Sequence, residues 1–90
     1  MSTTWDPRKA AINWGKHGVR LSDAEPVLFD PTAVTREDPS ARGEQRFVSI
    51  GTDALGRVLV VVYSYREDDV RLISARNATR KERSQYEEGI

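Results

Sequence analysis

The chain has 90 residues, 38% apolar and 31% charged, and its 14 basic and 14 acidic side chains balance to zero net charge. That mixture excludes a disordered or fibrous chain and fits one domain over residues 1–90, with an adequate but not generous core. Cysteine is absent, which excludes disulfides, thiolate metal sites and cysteine nucleophiles, and no apolar run reaches membrane-spanning length.

In chain order, Met1-Ser2-Thr3-Thr4 runs into Trp5 with no signal-peptide pattern, so a cytoplasmic location is expected, and Thr3 to Trp5 reads as a first strand. Asp6-Pro7 opens a helix, because Asp caps well and Pro suits the first helical position. Ala10, Ala11 and Trp14 share one of its faces, and Gly18 supplies the stop. A second helix is expected from Ser22, where Ser22-x-x-Glu25 has capping-box spacing. Ala24, Val27 and Leu28 form its apolar stripe, Pro26 keeps it short and Asp30-Pro31 ends it.

Strand signals follow. Ala33 to Arg36 predicts a short strand, Glu37 to Gln45 a polar loop, and Arg46 to Thr52 an alternating strand. Asp53-Ala54-Leu55-Gly56 looks like a hairpin connection into Val58 to Tyr65, an almost continuously apolar run expected at the sheet centre with both faces covered. Glu67-Asp68-Asp69 turns the chain into Val70 to Ala78. A last helix starts at Thr79, with a capping box to Glu82, and stops at Gly89. It has little apolar stripe beyond Ala78 and Tyr86, so it should dock weakly and suit a partner. The order predicts an α+β domain: a small, mostly antiparallel sheet with two N-terminal helices and a C-terminal helix, gathered on one face.

Chemistry concentrates in the arginines. Only Lys9, Lys16 and Lys81 are lysines, against eleven arginines. The fork of guanidinium donors suits phosphate or carboxylate. Zero net charge argues mildly against binding nucleic acid by bulk attraction. Arg71 and Arg76 lie within an apolar strand run, where buried charge needs a partner, either an anionic substrate or a nearby acid. Five residues apart, they take opposite faces of a regular strand and can share a site only if a bulge intervenes or Arg76 lies beyond the strand end. His17, the only histidine, sits beside Lys16 at a helix end. It can serve as a general base, with Lys16 on phosphate, or the pair can complement the helix dipole. Glu44, in Gly43-Glu44-x-Arg46, can abstract a proton or pin an arginine. Tyr63 and Tyr65 share a strand face, with Arg66 on the other, and either pack or contact RNA. One histidine without cysteine gives no basis for a transition-metal site, and no phosphate-binding glycine loop or dinucleotide fingerprint is present, so no cofactor is expected.

An ordered set of short pieces resembles the BrnT family of bacterial type II toxins: Trp5-Asp6, Lys9, Asn13, Lys16-His17-Gly18-Val19, Ala24, Phe29-Asp30, Gly43-Glu44-x-Arg46, Ile50-Gly51, Gly56-Arg57, Tyr63, Arg66, Arg71 to Arg76, Ala78, Glu82-Arg83 and Tyr86. Leu21 stands where the family often has Phe, and Tyr63 where many members carry His. The resemblance implies a RelE-like fold, metal-independent RNA cleavage that halts translation, and a BrnA-type antitoxin through which alone operator DNA is reached. It implies catalytic roles for Lys16, His17, Glu44, Arg66 and Arg76, with Arg46, Tyr63, Tyr65 and Arg71 contacting RNA. Glu44 or His17 would take the proton of the ribose 2′-hydroxyl. The competing readings are a non-catalytic RNA- or ribosome-binding module of the same fold, and a protein-interaction module.

Overall fold

A computed structural model describes residues 2–89; Met1 and Ile90, the ends of the expected domain, lie outside the described residues. Its elements are β1 (Thr3–Trp5), α1 (Pro7–His17), α2 (Leu21–Ala24), a 3₁₀ turn (Glu25–Phe29), β2 (Val34–Glu37), β3 (Phe47–Thr52), β4 (Val58–Arg66), β5 (Asp69–Asn77) and α3 (Arg80–Glu88). The strands form one sheet in the order β1-β5-β4-β3-β2. β1 runs parallel to β5, and the other pairs are antiparallel. No helix among the described residues is long and apolar enough to cross a membrane.

β4 lies at the centre, and its pleat feeds two cores. Leu59, Val61 and Tyr63 join Val19, Leu21, Ala24, Val27, Leu72 and Ala75 on the face covered by α1 and α2. Val58, Val60 and Val62 join Val48, Ile50, Ala78 and Tyr86 on the other. α3 therefore covers the opposite face from the N-terminal helices, which corrects the expectation of helices on one face. A central strand apolar on both sides needs cover on both, and α3 supplies the second.

Two local readings are also corrected. The Ser22 capping box does not form: helix begins one residue earlier, where Leu21 is buried, and Arg20 at the N-cap makes no side-chain cap bond. The chain then tightens into the 3₁₀ turn, with Pro26 in its first turn. On α1, Trp14 is 51% exposed and the buried residue is Asn13. Ala10, Ala11 and Trp14 line a groove of about 270 Å³ with Trp5, Arg20 and Leu21, and the Arg20 guanidinium sits 4.7 Å over the Trp14 ring. Asn13 takes the place of a strand. β1 pairs only with residues 70–72 of β5, and beyond it the Asn13 amide accepts from Ala75 N–H (3.0 Å) and donates to Ala75 C=O (2.8 Å) and Val19 C=O (2.9 Å).

A matching device closes the other edge. Asp30 accepts from Thr52 N–H (3.0 Å) and from Tyr86 Oη (2.6 Å), joining α3 to β3 and to the turn before β2. Gly51 makes room for it: a Cβ there would lie 3.1 Å from Asp30 Oδ2 and from Val27 Cγ1. The strongest consequence for function is a β-bulge. Tyr63 pairs with Leu72 but Val62 with Ser74, so Ile73 is an extra residue in β5. The insertion shifts the pleat by one and puts Arg71 and Arg76 on the same face.

Candidate active site

The sheet face on the α3 side carries four of the eleven arginines, Arg46, Arg66, Arg71 and Arg76. Arg76 lies opposite Val60, and Arg71 opposite Ser64. Arg66 follows Ser64 by two residues, so it emerges on the same side. The Asp38 N–H donates to Arg46 C=O (2.8 Å), extending β3 by one residue past the Phe47–Tyr63 pair. Arg46 is thus level with Ser64, and Arg46, Ser64 and Arg71 form one row across three strands. The bulge at Ile73 makes this face possible.

Two carboxylates meet the arginines. Glu44, at the end of the loop before β3, accepts from Arg66 Nε at 2.9 Å. This pair is open, with the Arg66 side chain 57% and Glu44 34% exposed. The neighbouring Ser64 hydroxyl, then Arg66 and the Arg71 charge, hold the Glu44 carboxyl below its usual range. Ser64 Oγ nevertheless makes no hydrogen bond of good geometry. It and Arg46 Nε are the buried side-chain polar atoms without a partner among the described residues. Arg76 instead grips Glu82 in a bidentate pair, at 2.7 and 2.9 Å. That contact, with the Thr79 cap, brings the Glu82 carboxyl down to about 2, and Glu82 in turn raises Arg76. The capping box at α3 and the arginine pin are the same carboxylate.

The remaining predicted residues lie elsewhere. Tyr63 and Tyr65 share the opposite face, where Phe47, Tyr63 and Tyr65 pack with ring centroids 5.4–5.9 Å apart. Tyr63 is buried, and its hydroxyl bonds Ser49 Oγ (2.8 Å), which bonds Thr35 Oγ1 (2.7 Å). It cannot stack on a base without leaving the core. Tyr65 is 54% exposed and can. Lys16 and His17 line a shallow pocket of about 150 Å³ with Lys9, Ile12, Asn13, Ile73 and Ser74, beside the bulge. Neither is ion-paired with a described carboxylate. The structure brings together Glu44, Arg46, Arg66 and Arg71, places Arg76 on the same face but four residues further along β4, at Val60, and sets the tyrosines and the helix-end pair apart. No group of three His, Asp or Glu among the described residues is placed to hold a metal ion. Sequence reasoning missed Ser64; its one signal was a hydroxyl inside the apolar run Val58 to Tyr65.

None of the curated proteins matches the chain. The crystal structure of the Brucella abortus ribonuclease toxin BrnT is similar, with 25% identity and a TM-score of 0.66, over 89% of this chain and 99% of that one. The sequence profile of the ribonuclease toxin BrnT, of type II toxin–antitoxin systems, matches residues 5–82. This chain belongs to the BrnT family of type II ribonuclease toxins.

Proposed function

We propose that this protein cuts RNA without a metal ion, halting translation in the cytoplasm, and that the arginine face under α3 is its active site. On this reading the fold is RelE-like and forms one toxin domain. The observation that carries the proposal is the exposed Glu44–Arg66 pair beside Arg46 and Arg71, an ionised carboxylate among cations that never lose their charge. Glu44 takes the proton of the ribose 2′-hydroxyl, the 2′-oxygen attacks the adjacent phosphorus, and the bond from phosphorus to the 5′-oxygen breaks. The leaving oxygen takes a proton from solvent, giving a 5′-hydroxyl and a 2′,3′-cyclic phosphate. Arg66 and Arg71 oppose the charge growing on the phosphate oxygens, and Arg76 adds to the field from further along the same face. Phosphate also competes for Arg66, and a Glu44 released from it becomes the stronger base. Lys16 and His17, outside this cluster, hold flanking phosphates, and Tyr65 is available to a base.

A type II toxin has a cognate antitoxin, and we assign it to the BrnA type, with operator DNA reached only through it. A second reading, a non-catalytic RNA- or ribosome-binding module, is favoured by one observation: Arg66 and Arg76 are each already neutralised by a carboxylate. Incubating RNA with purified protein and excess chelator decides between them. Cleavage to 2′,3′-cyclic ends supports the enzyme, and tight binding with intact RNA selects the module.

A further inference from the structure

The orphaned atoms of the row point to a ligand. Buried polar groups in folded proteins are nearly always paired, and each exception asks for a cause. Here the two exceptions, Arg46 Nε and Ser64 Oγ, are neighbours across the β3–β4 ladder. Arg71 flanks Ser64 on the other side, and no described carboxylate forms an ion pair with Arg46 or Arg71. Two hydrogen-bond donors and two guanidinium groups without a close ion-pair partner thus lie in one row, where Asp38 acts on Arg46 and Glu44 on Arg71 only at longer range, and the Glu44 carboxylate beside Ser64 is engaged by Arg66. An isolated buried hydroxyl and guanidinium N–H are costly to leave unpaired. A tetrahedral anion with several acceptor oxygens satisfies both at once.

We infer that Arg46, Ser64 and Arg71 form a built oxyanion subsite for one phosphate of the RNA backbone, with Ser64 Oγ–H and Arg46 Nε–H as direct donors. The inference rests on the ribonuclease reading and refines it: it places a phosphate beside the Glu44 carboxylate and gives Ser64 a role in binding it. Ser64 is 0% exposed, so an anion reaches its hydroxyl only as the exposed Glu44–Arg66 pair beside it opens, the same exchange of Arg66 onto phosphate that frees Glu44.

The test uses the intact protein with Ser64→Ala, Arg46→Lys and Arg46→Gln. Three quantities are read: thermal midpoint, cleavage rate, and affinity for a 2′-O-methyl RNA oligomer, which binds but cannot be cut. Ser64→Ala removes an unpaired hydroxyl, so its midpoint should hold or rise, while cleavage falls at least tenfold and oligomer affinity severalfold. Arg46→Lys keeps the charge but loses the Nε–H, and should fall at least tenfold in cleavage. Arg46→Gln should lower the slope of log affinity against log salt by about one. A Ser64→Ala protein with a lowered midpoint and unchanged oligomer affinity would overturn the subsite, since the hydroxyl would then be structural. Loss of antitoxin affinity with RNA affinity untouched would also overturn it, in favour of a carboxylate ligand. If the parent protein cut no RNA, the ribonuclease reading would fail by itself, and the oligomer arm would still decide the subsite.

Discussion

Arg66 and Arg76 each meet a carboxylate, but the pairs differ in exposure and so in what the arginine can do for an anionic ligand. The Arg66–Glu44 pair is a surface contact of small worth to stability, free to exchange its partner for phosphate. Replacing Arg66 with Ala should lower cleavage by about two orders of magnitude with little change in thermal midpoint, and Lys should rescue only in part, because the fork is lost. Arg76 is tied into the first turn of α3 through Glu82, so Arg76→Ala should cost both activity and stability. Glu82→Gln separates the two roles: it weakens the pin while leaving the Arg76 charge free for RNA. A folded, fully active Arg76→Ala protein would remove this residue from the site. Asn13 is the structural counterpart. Its amide satisfies the Ala75 N–H, the Ala75 carbonyl and the Val19 carbonyl. Asn13→Leu would leave buried backbone groups unpaired, at about 1–3 kcal/mol each. The thermal midpoint should drop by roughly 10 °C or more, at about 4–8 °C per kcal/mol for a domain of this size. A drop under a few degrees would mean that water replaces the amide.

Among the elements, α3 depends most on charge. None of its residues is fully buried, and it is held by Glu82 on Arg76 and by Tyr86 on Asp30. Burial works against the Asp30 carboxylate, but bonds from Tyr86, Thr52 and Thr32 outweigh it and hold the group well below the usual carboxylate range. Glu82 falls from 4.5 to about 2. A carboxyl depressed in the folded state binds protons less readily there than when unfolded, so its stabilisation is present above the unfolded value and lost as pH falls. For Glu82 that window runs from pH 4.5 down to about 2. The loss is at most about 3 kcal/mol by the conversion of pKa units, and less because the Arg76 side chain is 40% exposed. Amides of α3 should therefore lose hydrogen-exchange protection in that window before those of β4 do, and uniform loss would contradict the account. Gly51→Ala attacks the same junction by crowding, and should destabilise by about 1–3 kcal/mol in equilibrium denaturation.

Much of this fold was legible because local chemistry and tertiary structure agree. Asp6-Pro7 and Gly18 bound α1, Thr79 with Glu82 starts α3, and Asp53 to Gly56 turns the hairpin. The departures have one cause, long-range contact. The Ser22 capping box lost to burial of Leu21, which starts the helix earlier. The bulge at Ile73 is set by pairing with β4, and no residue type in Arg71 to Arg76 announces it. Without it Arg71 and Arg76 fall on opposite faces, so the separate arginines were readable and their shared face was not. Asn13 and Trp14 exchanged roles for a similar reason: the free edge of β5 rewards an amide more than an indole.

At the scale of the whole molecule, zero net charge coexists with a locally basic face, because the acids sit largely elsewhere or serve as pins. RNA affinity should accordingly be modest and fall with salt according to the few phosphates engaged. The antitoxin should use the same guanidinium forks through an acidic segment, burying roughly 1,600 Å² in total or more, and saturating antitoxin should abolish RNA binding in a competition titration. Undiminished RNA binding to the complex would mean inhibition from a distance. We propose that the arginine face, and not the pocket at the end of α1, carries the reaction. The most direct test of this proposal is the single-turnover cleavage rate of Glu44→Gln beside His17→Gln, in chelator, with both proteins shown to be folded. Glu44→Gln should lose about a hundredfold or more, in the usual range for a general base, with His17→Gln keeping measurable activity and its acid limb of the pH–rate profile. A Glu44→Gln enzyme at full rate, with the acid limb and the activity lost in His17→Gln, would contradict the proposal.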